Sequence, residues 1–218
     1  MATIYSESAG DGYISASSPS SWLAASRATT GLSFPTFSAS GFSTGSARFP
    51  GRGGGYIWVC SRNFFHFDTS SITSTLSSAT LTITSMGSFD TCDFYVVKST
   101  HNDTLANGDF DAITGWDNSA EDNTDNVTKY SAKITSWNPS IQENEIELNA
   151  TALADIKNND DFKICMIESD YDLNHSDPAG YYRLGNYYAD NSGTAKDPKL
   201  TLVVATVTDN VIFFGTNF

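Results

Sequence analysis

Residues 56–85 read YIWVCSRNFFHFDTSSITSTLSSATLTITS, two apolar runs separated by a polar Ser/Thr segment. In the second run, 79–85, Leu81 and Ile83 alternate with Thr80, Thr82 and Thr84. That period of two marks a strand with one buried face. The first run, 56–67, carries Tyr, Ile, Trp, Val and three Phe and is too apolar for a surface strand. It predicts a core strand, and the two runs together read as the central hairpin of a β-sandwich.

The rest of the chain continues in short pieces. Residues 3–5 and 12–15 predict strands around a turn at 9–12, where Asp11-Gly12 is a turn dipeptide. Residues 17–31 are rich in Ser and contain Pro19, so they read as a surface loop anchored by Trp22 and Leu23. Pro35 makes 32–37 an edge strand. The Gly/Ser-rich stretch 39–55 reads as a long loop; its GRGGG lacks the Lys-Ser/Thr end of a phosphate loop. Strands are expected at 93–100, 127–134, 145–148, 162–168, 181–188 with a bulge at Gly185, and 198–207, with one helical turn near Leu105. Asn149 is placed to cap a short helix, 150–158, with Ala150, Leu153 and Ile156 on one face.

This predicts an all-β protein, a jelly-roll β-sandwich of roughly nine to eleven strands with one short helix. Residues 1–208 form a single domain, and 209–218 are an apolar C-terminal segment. The latter, VIFFGTNF at its end, is either a last strand of the sheet or an interface strand.

Composition narrows the function. Of 218 residues only 17% are charged, while 13% are aromatic, enough to fill a core. The net charge is −13, from 12 Lys and Arg against 25 Asp and Glu. Such a field repels nucleic acid and anionic membrane, and the one basic run is the short RFPGR at 48–52. Cys60, Cys92 and Cys165 show no metal-binding spacing and sit in or beside apolar runs, which predicts buried free thiols; one disulfide with one free Cys is the alternative for an extracellular chain. The N-terminus has neither a basic nor an apolar region of a signal peptide, and no apolar run is long enough to span a bilayer. The expectation is a protein made in a cytoplasm and either kept there or released by a route other than ordinary secretion.

Candidate chemistry is sparse. Asp109 and Asp111 flank Phe110 and would point to one side as a carboxylate pair. The loop 117–125 and the loop with Asp170, Asp172 and Asp177 offer oxygens for calcium without EF-hand spacing; solvated acidic loops are the simpler reading. His66, His101 and His175 are far apart in sequence, and no G-x-S-x-G elbow is present. No catalytic, cofactor or metal residue is therefore assigned. Trp22, Trp116, Trp137 and the pairs Tyr181-Tyr182 and Tyr187-Tyr188 lie in or near loops. They suit either stacking on sugar rings or stapling loops to the sandwich.

Four segments carry a resemblance: RNFFHFDTSSITSTLSSATLTIT, the opening TIYSESAGDGYISASSPSSWLAASRATTG, NATALADIKN, and DPKLTLVV. They resemble the jelly-roll family that includes DNRLRE-type domains of bacterial extracellular proteins and similar domains of phage and prophage structural proteins. The resemblance spans residues 3 to 204. It implies a stable module without catalytic residues, in its phage-borne members a virion component. The expected function is a non-enzymatic bacteriophage structural protein, a capsid decoration or fibre protein. Its expected location is the virion, its partners other virion proteins and further copies of itself. The alternative is a carbohydrate- or receptor-binding module at a tail tip or on a cell surface.

Overall fold

A computed structural model describes residues 1–34, 43–87, 90–189 and 193–206. Among the described residues, eleven strands form two antiparallel sheets. The small sheet has the order β1-β11-β6-β8, with β1 Ala2–Tyr5, β11 Lys199–Val204, β6 Leu76–Thr84 and β8 Glu143–Glu147. The large sheet is organised on β5, Tyr56–Asp68. One edge of β5 pairs with β2, Gly12–Ser18, which in turn pairs with β3, Leu32–Phe34. The other edge is shared end to end. Residues 56–61 pair with β4, Thr44–Pro50, and residues 63–68 pair with β9, Asp161–Glu168. Beyond β9 lies β7, Phe94–Lys98, and beyond β4 lies β10, Tyr181–Leu184.

The wrapping is that of a jelly roll. The first and last strands are neighbours, and the chain changes sheets between β1 and β2, β5 and β6, β6 and β7, β7 and β8, β8 and β9, and β10 and β11. The expected hairpin of 56–67 with 79–85 is thereby corrected: β5 and β6 face each other across the core from different sheets. Strands β2, β3, β4 and β10 widen the large sheet beyond this jelly-roll frame.

Burial explains the patterns. Between the sheets, Phe65, Phe67, Leu81, Ile83, Phe94, Phe162 and Leu200 form the main core. A second core lies on the outer face of the large sheet, where Ile14, Trp22, Cys60, Phe64, Phe110 and Ile167 sit under loops. β5 is covered on both faces, which is why it reads as a continuous apolar run. β6 contributes mainly one face, and it alternates.

Several expectations change in detail. Residues 3–5 and 12–15 are strands but do not pair with each other. The loop 17–31 contains a helix, α1 Trp22–Ser26, capped by the Ser21 hydroxyl accepting from Ala24 N–H at 3.1 Å. The loop 39–55 contains β4. Residues 127–134 are not a ladder strand; they meet β7 at isolated bridges, Lys129 to Val97 and Ile134 to Phe94, and through the Ser131 hydroxyl, which accepts the Val96 N–H. The helical turn near Leu105 is a 3-10 turn at Asn107–Asp109. The helix α2, Ala150–Asn158, forms with Asn149 as cap and buries Ala152 and Ile156, leaving Ala150 exposed. The apolar end segment lies outside the described residues, as does Pro35. All three cysteines are buried free thiols. No helix among the described residues is long and apolar enough to cross a membrane.

Candidate functional site

At Arg62 the β4 and β9 neighbours of β5 part, and the space is filled by buried polar groups. Arg62 is itself fully buried. Its Nε and Nη2 donate to the two oxygens of Asp172 at 2.7 Å each, Nη1 to the Phe110 carbonyl at 2.8 Å and Nη2 to the Ser26 carbonyl at 2.8 Å. The guanidinium lies between the Phe110 and Trp116 rings, 4.2 and 3.9 Å from their centroids. Arg27 adds a hydrogen bond to the Asp172 carbonyl at 2.9 Å. Glu168, at the end of β9, accepts the N–H groups of Asp170, Tyr171 and Asp172 and the Ser46 hydroxyl. These bonds satisfy buried donors where the strands diverge. Their chemistry is closed on itself: one side chain from the sheet holds three covering segments.

A second cluster sits at the other end of β5. His66, 3% exposed, places Nε2 2.7 Å from Asp161 and Nδ1 3.5 Å from Glu7. Its ring is 6.5 Å from that of His101, whose Nδ1 shares a hydrogen bond with the Ser99 hydroxyl at 2.8 Å. Burial pushes His101 down to about 3, so it stays neutral. His175 lies on a separate loop at φ 50°. Among the described residues, His66, Asp103 and Asp161 are the one group whose ligand atoms come within 4.8 Å of one another. Lys163 already places its ammonium 2.5 Å from Asp103, so the cluster carries its own cation. Asp161 and Lys163 also line a polar cleft of about 480 Å³ with Asp155 and Tyr130. Burial pushes the Asp155 carboxyl up, but the Tyr130 hydroxyl at 2.5 Å and the Lys98 ammonium at 2.9 Å outweigh it and hold it below its ordinary value. An anion so held is a poor general acid, and Asp161 is half exposed.

Asp11, beneath this cluster, has a testable consequence. It is fully buried and accepts from the Ser6 hydroxyl at 2.5 Å and the His66 N–H at 3.1 Å. Burial raises its pKa to about 8, the hydrogen bonds lowering it by less. The folded value lies above the unfolded one, so folding favours the protonated carboxyl. The stabilisation is complete below about pH 4 and is lost as pH rises toward 8. Asp11→Asn should flatten that loss, which has a limiting slope of about 1.4 kcal/mol per pH unit. Urea midpoints of both proteins at pH 5, 6.5 and 8 check it, and parallel profiles would refute it.

The sequence-level candidates separate. Asp109 caps its own 3-10 turn, accepting from Asn102 and Ala106, while Asp111 accepts from Asn118; they form no facing pair. In the loop 117–125, Asp117 and Asp122 accept from Ser119 and Thr124. Asp170 pairs with Lys133, Asp172 with Arg62, and Asp177 is exposed, so the three do not converge. The two loops do meet around a concavity of about 250 Å³ lined by Asp122, Asp125 and Asp170, and Lys133 lines it too. Lys133 lies 3.1 Å from Asp93 and 2.7 Å from Asp170, supplying the positive charge there.

Most of the aromatic candidates are staples. Trp22 is fully buried and its Nε1 donates to the Tyr171 carbonyl at 2.9 Å. Trp137 packs edge-on against Phe94, Trp116 lies under Arg62 and Arg27, and Tyr188 is buried with its hydroxyl on Asn63. Tyr182 packs on Tyr171 with centroids 4.2 Å apart, and Lys196 covers Tyr187. Tyr181 remains 42% exposed.

Tyr181 belongs to a surface that the sequence reading missed, at the end of the β4–β5 hairpin. Tyr56 is 46% and Ile57 39% exposed, with Phe49 and Trp58 half-buried beside them. Phe49 meets Tyr181 edge-on at 5.0 Å and Tyr56 meets Trp58 at 6.1 Å. Arg48 lies over Tyr56 at 4.4 Å and Arg183 over Tyr181 at 4.9 Å. Pro19, Pro50, Arg52, Tyr56 and Ile57 line a concavity of about 560 Å³ there. The sequence signal was RFPGRGGGYIW, aromatics and arginines on both sides of a Gly-rich turn. Of the five arginines, Arg27 and Arg62 are buried, and the other three are all in this part of the large sheet.

No protein-family model and no curated protein matches the chain.

Proposed function

We propose that this chain is a non-enzymatic structural protein of a bacteriophage particle, a capsid decoration or fibre component, working through the aromatic and arginine-bearing end of its large sheet. The observation that carries the reading is the division of labour in the fold. The jelly-roll frame commits its buried ionisable groups to pinning loops, as Arg62 does with Asp172. The added strands β4 and β10, together with the start of β5, carry Phe49, Tyr56, Ile57 and Tyr181 outward. Tyr, Trp and Arg are the residue types that dominate binding energy in protein interfaces. The motif resemblance to phage-borne jelly-roll proteins supports the same conclusion.

Sedimentation of particles from the native source, followed by immunodetection of the chain, tests it. The chain should travel with the particles and label their surface. Recovery only in the particle-free fraction would overturn it. A second reading, binding of a surface glycan, has a specific observation behind it: Tyr56 and Tyr181 are both nearly half exposed. A glycan array probed with the protein and with Tyr56→Ala decides it, since a stacked sugar would be lost in the variant.

A further inference from the structure

We infer that the partner of the aromatic and arginine-bearing end is a second copy of this chain, engaged through its β8 edge in a head-to-tail contact. The inference rests on the proposed structural role and names the two surfaces that would meet.

The first surface is basic in a chain of net charge −13. Arg48, Arg52 and Arg183 surround exposed Tyr56, Ile57 and Tyr181, with Arg183 also paired to Asp90 at 3.2 Å. The second surface is its complement. β8 lies at the edge of the small sheet, and among the described residues its ladder is with β6 alone. Its sequence ENEIE sends Ile146 into the core and leaves Glu143, Glu145 and Glu147 exposed. Glu143 is paired with Lys199 at 2.5 Å. Just before the strand, Ile141 is 61% exposed.

Charges along an edge prevent it from pairing indiscriminately. Three glutamates at alternate positions repel the same edge of another copy, which disfavours a two-fold edge-to-edge dimer. They admit a surface carrying arginines. The apolar part of the contact would be Ile141 against Tyr56 and Ile57. A contact between two different surfaces of one chain is heterologous, so it builds rings or open arrays in place of closed dimers.

Sedimentation velocity of the whole chain over a concentration series, in low and high salt, is the test. The wild type should associate beyond a dimer in low salt and dissociate in high salt, because exposed charges are screened. Arg48→Glu with Arg52→Glu should be monomeric, and so should Glu145→Arg with Glu147→Arg. An equimolar mixture of the two variants should associate again, because each now offers a surface complementary to the other. A monomeric wild type at every concentration overturns the contact. So does association that both variants retain, which would place the interface elsewhere while leaving the structural role intact. An acidic glycan that binds the arginine-bearing end without self-association would overturn it as well. Particle sedimentation decides the structural role independently of all these outcomes.

Discussion

Replacing Arg62 by Met is expected to destabilise the protein by about 3–5 kcal/mol, a large part of the roughly 5–15 kcal/mol that holds a domain folded. The hydrophobic stem of Met replaces much of the lost packing, so the cost is chiefly electrostatic. Asp172, fully buried, loses both 2.7 Å bonds and keeps the Cys60 thiol and the more distant Arg27, 3.5 Å away. The carbonyls of Phe110 and Ser26 lose their donor. Removing one partner of a buried pair leaves the other charge without water and short of compensation, here with Arg27 alone as counter-ion. Removing both should be milder, so Arg62→Met with Asp172→Leu is expected to recover part of the loss. Arg62→Lys keeps the charge without the two-pronged fork and should fall between. Chemical unfolding of the four proteins measures this. A loss below about 1 kcal/mol in Arg62→Met would mean that the cluster is not what pins the loops.

The same residue shows what could be read from the sequence and what could not. β5 was legible because it is covered on both faces, so apolar residues stand at successive positions. Arg62 is one of the polar residues within it, and its meaning depended on Asp172, 110 residues away. β6, β9, β11 and α2 were legible because alternation, apolar runs and capping are local signals. The partnership of β5 with β6 was misread because adjacency in sequence favours a hairpin, whereas the chain crosses the core after Asp68. β4 was hidden by its small residues: Thr44, Gly45, Ser46 and Ala47 are buried by the close approach of neighbouring strands, not by their own bulk. The stretch 127–134 alternates like a strand but is tied to β7 by isolated bridges. The candidate surface was missed for a related reason. Aromatics near loops were weighed by position in sequence, and tertiary packing buried or covered most of them. Those beside the Gly-rich turn, Tyr56 and Ile57, stay exposed.

Gly45→Ala is expected to release β10 from the sheet and cost about 3 kcal/mol or more, through backbone strain and buried backbone groups left unpaired. Gly45 pairs with Arg183 at a φ of +145°, a conformation that L side chains rarely adopt. A Cβ at this position would lie 2.0 Å from the Tyr182 carbonyl oxygen and 2.8 Å from the Arg183 Cα. Both obstacles are main chain, so no change of rotamer relieves them. β10 lies at an edge and is bound through β4, so the least costly response is for it to leave. β10 contributes Leu184 to the main core, but the ladders among β1, β5, β6, β7, β8, β9 and β11 form without it and should persist. Hydrogen exchange would then show unprotected amides at 181–184 beside protected ones in β5, β6 and β9. Loss of β10 also removes Tyr181 and Arg183 from the proposed contact while leaving Arg48 and Arg52 in sequence. Self-association should therefore weaken in Gly45→Ala without any change of charge. A variant that keeps β10 protected and melts like the wild type would show that the strand can shift aside, and that this glycine is not what fixes the surface.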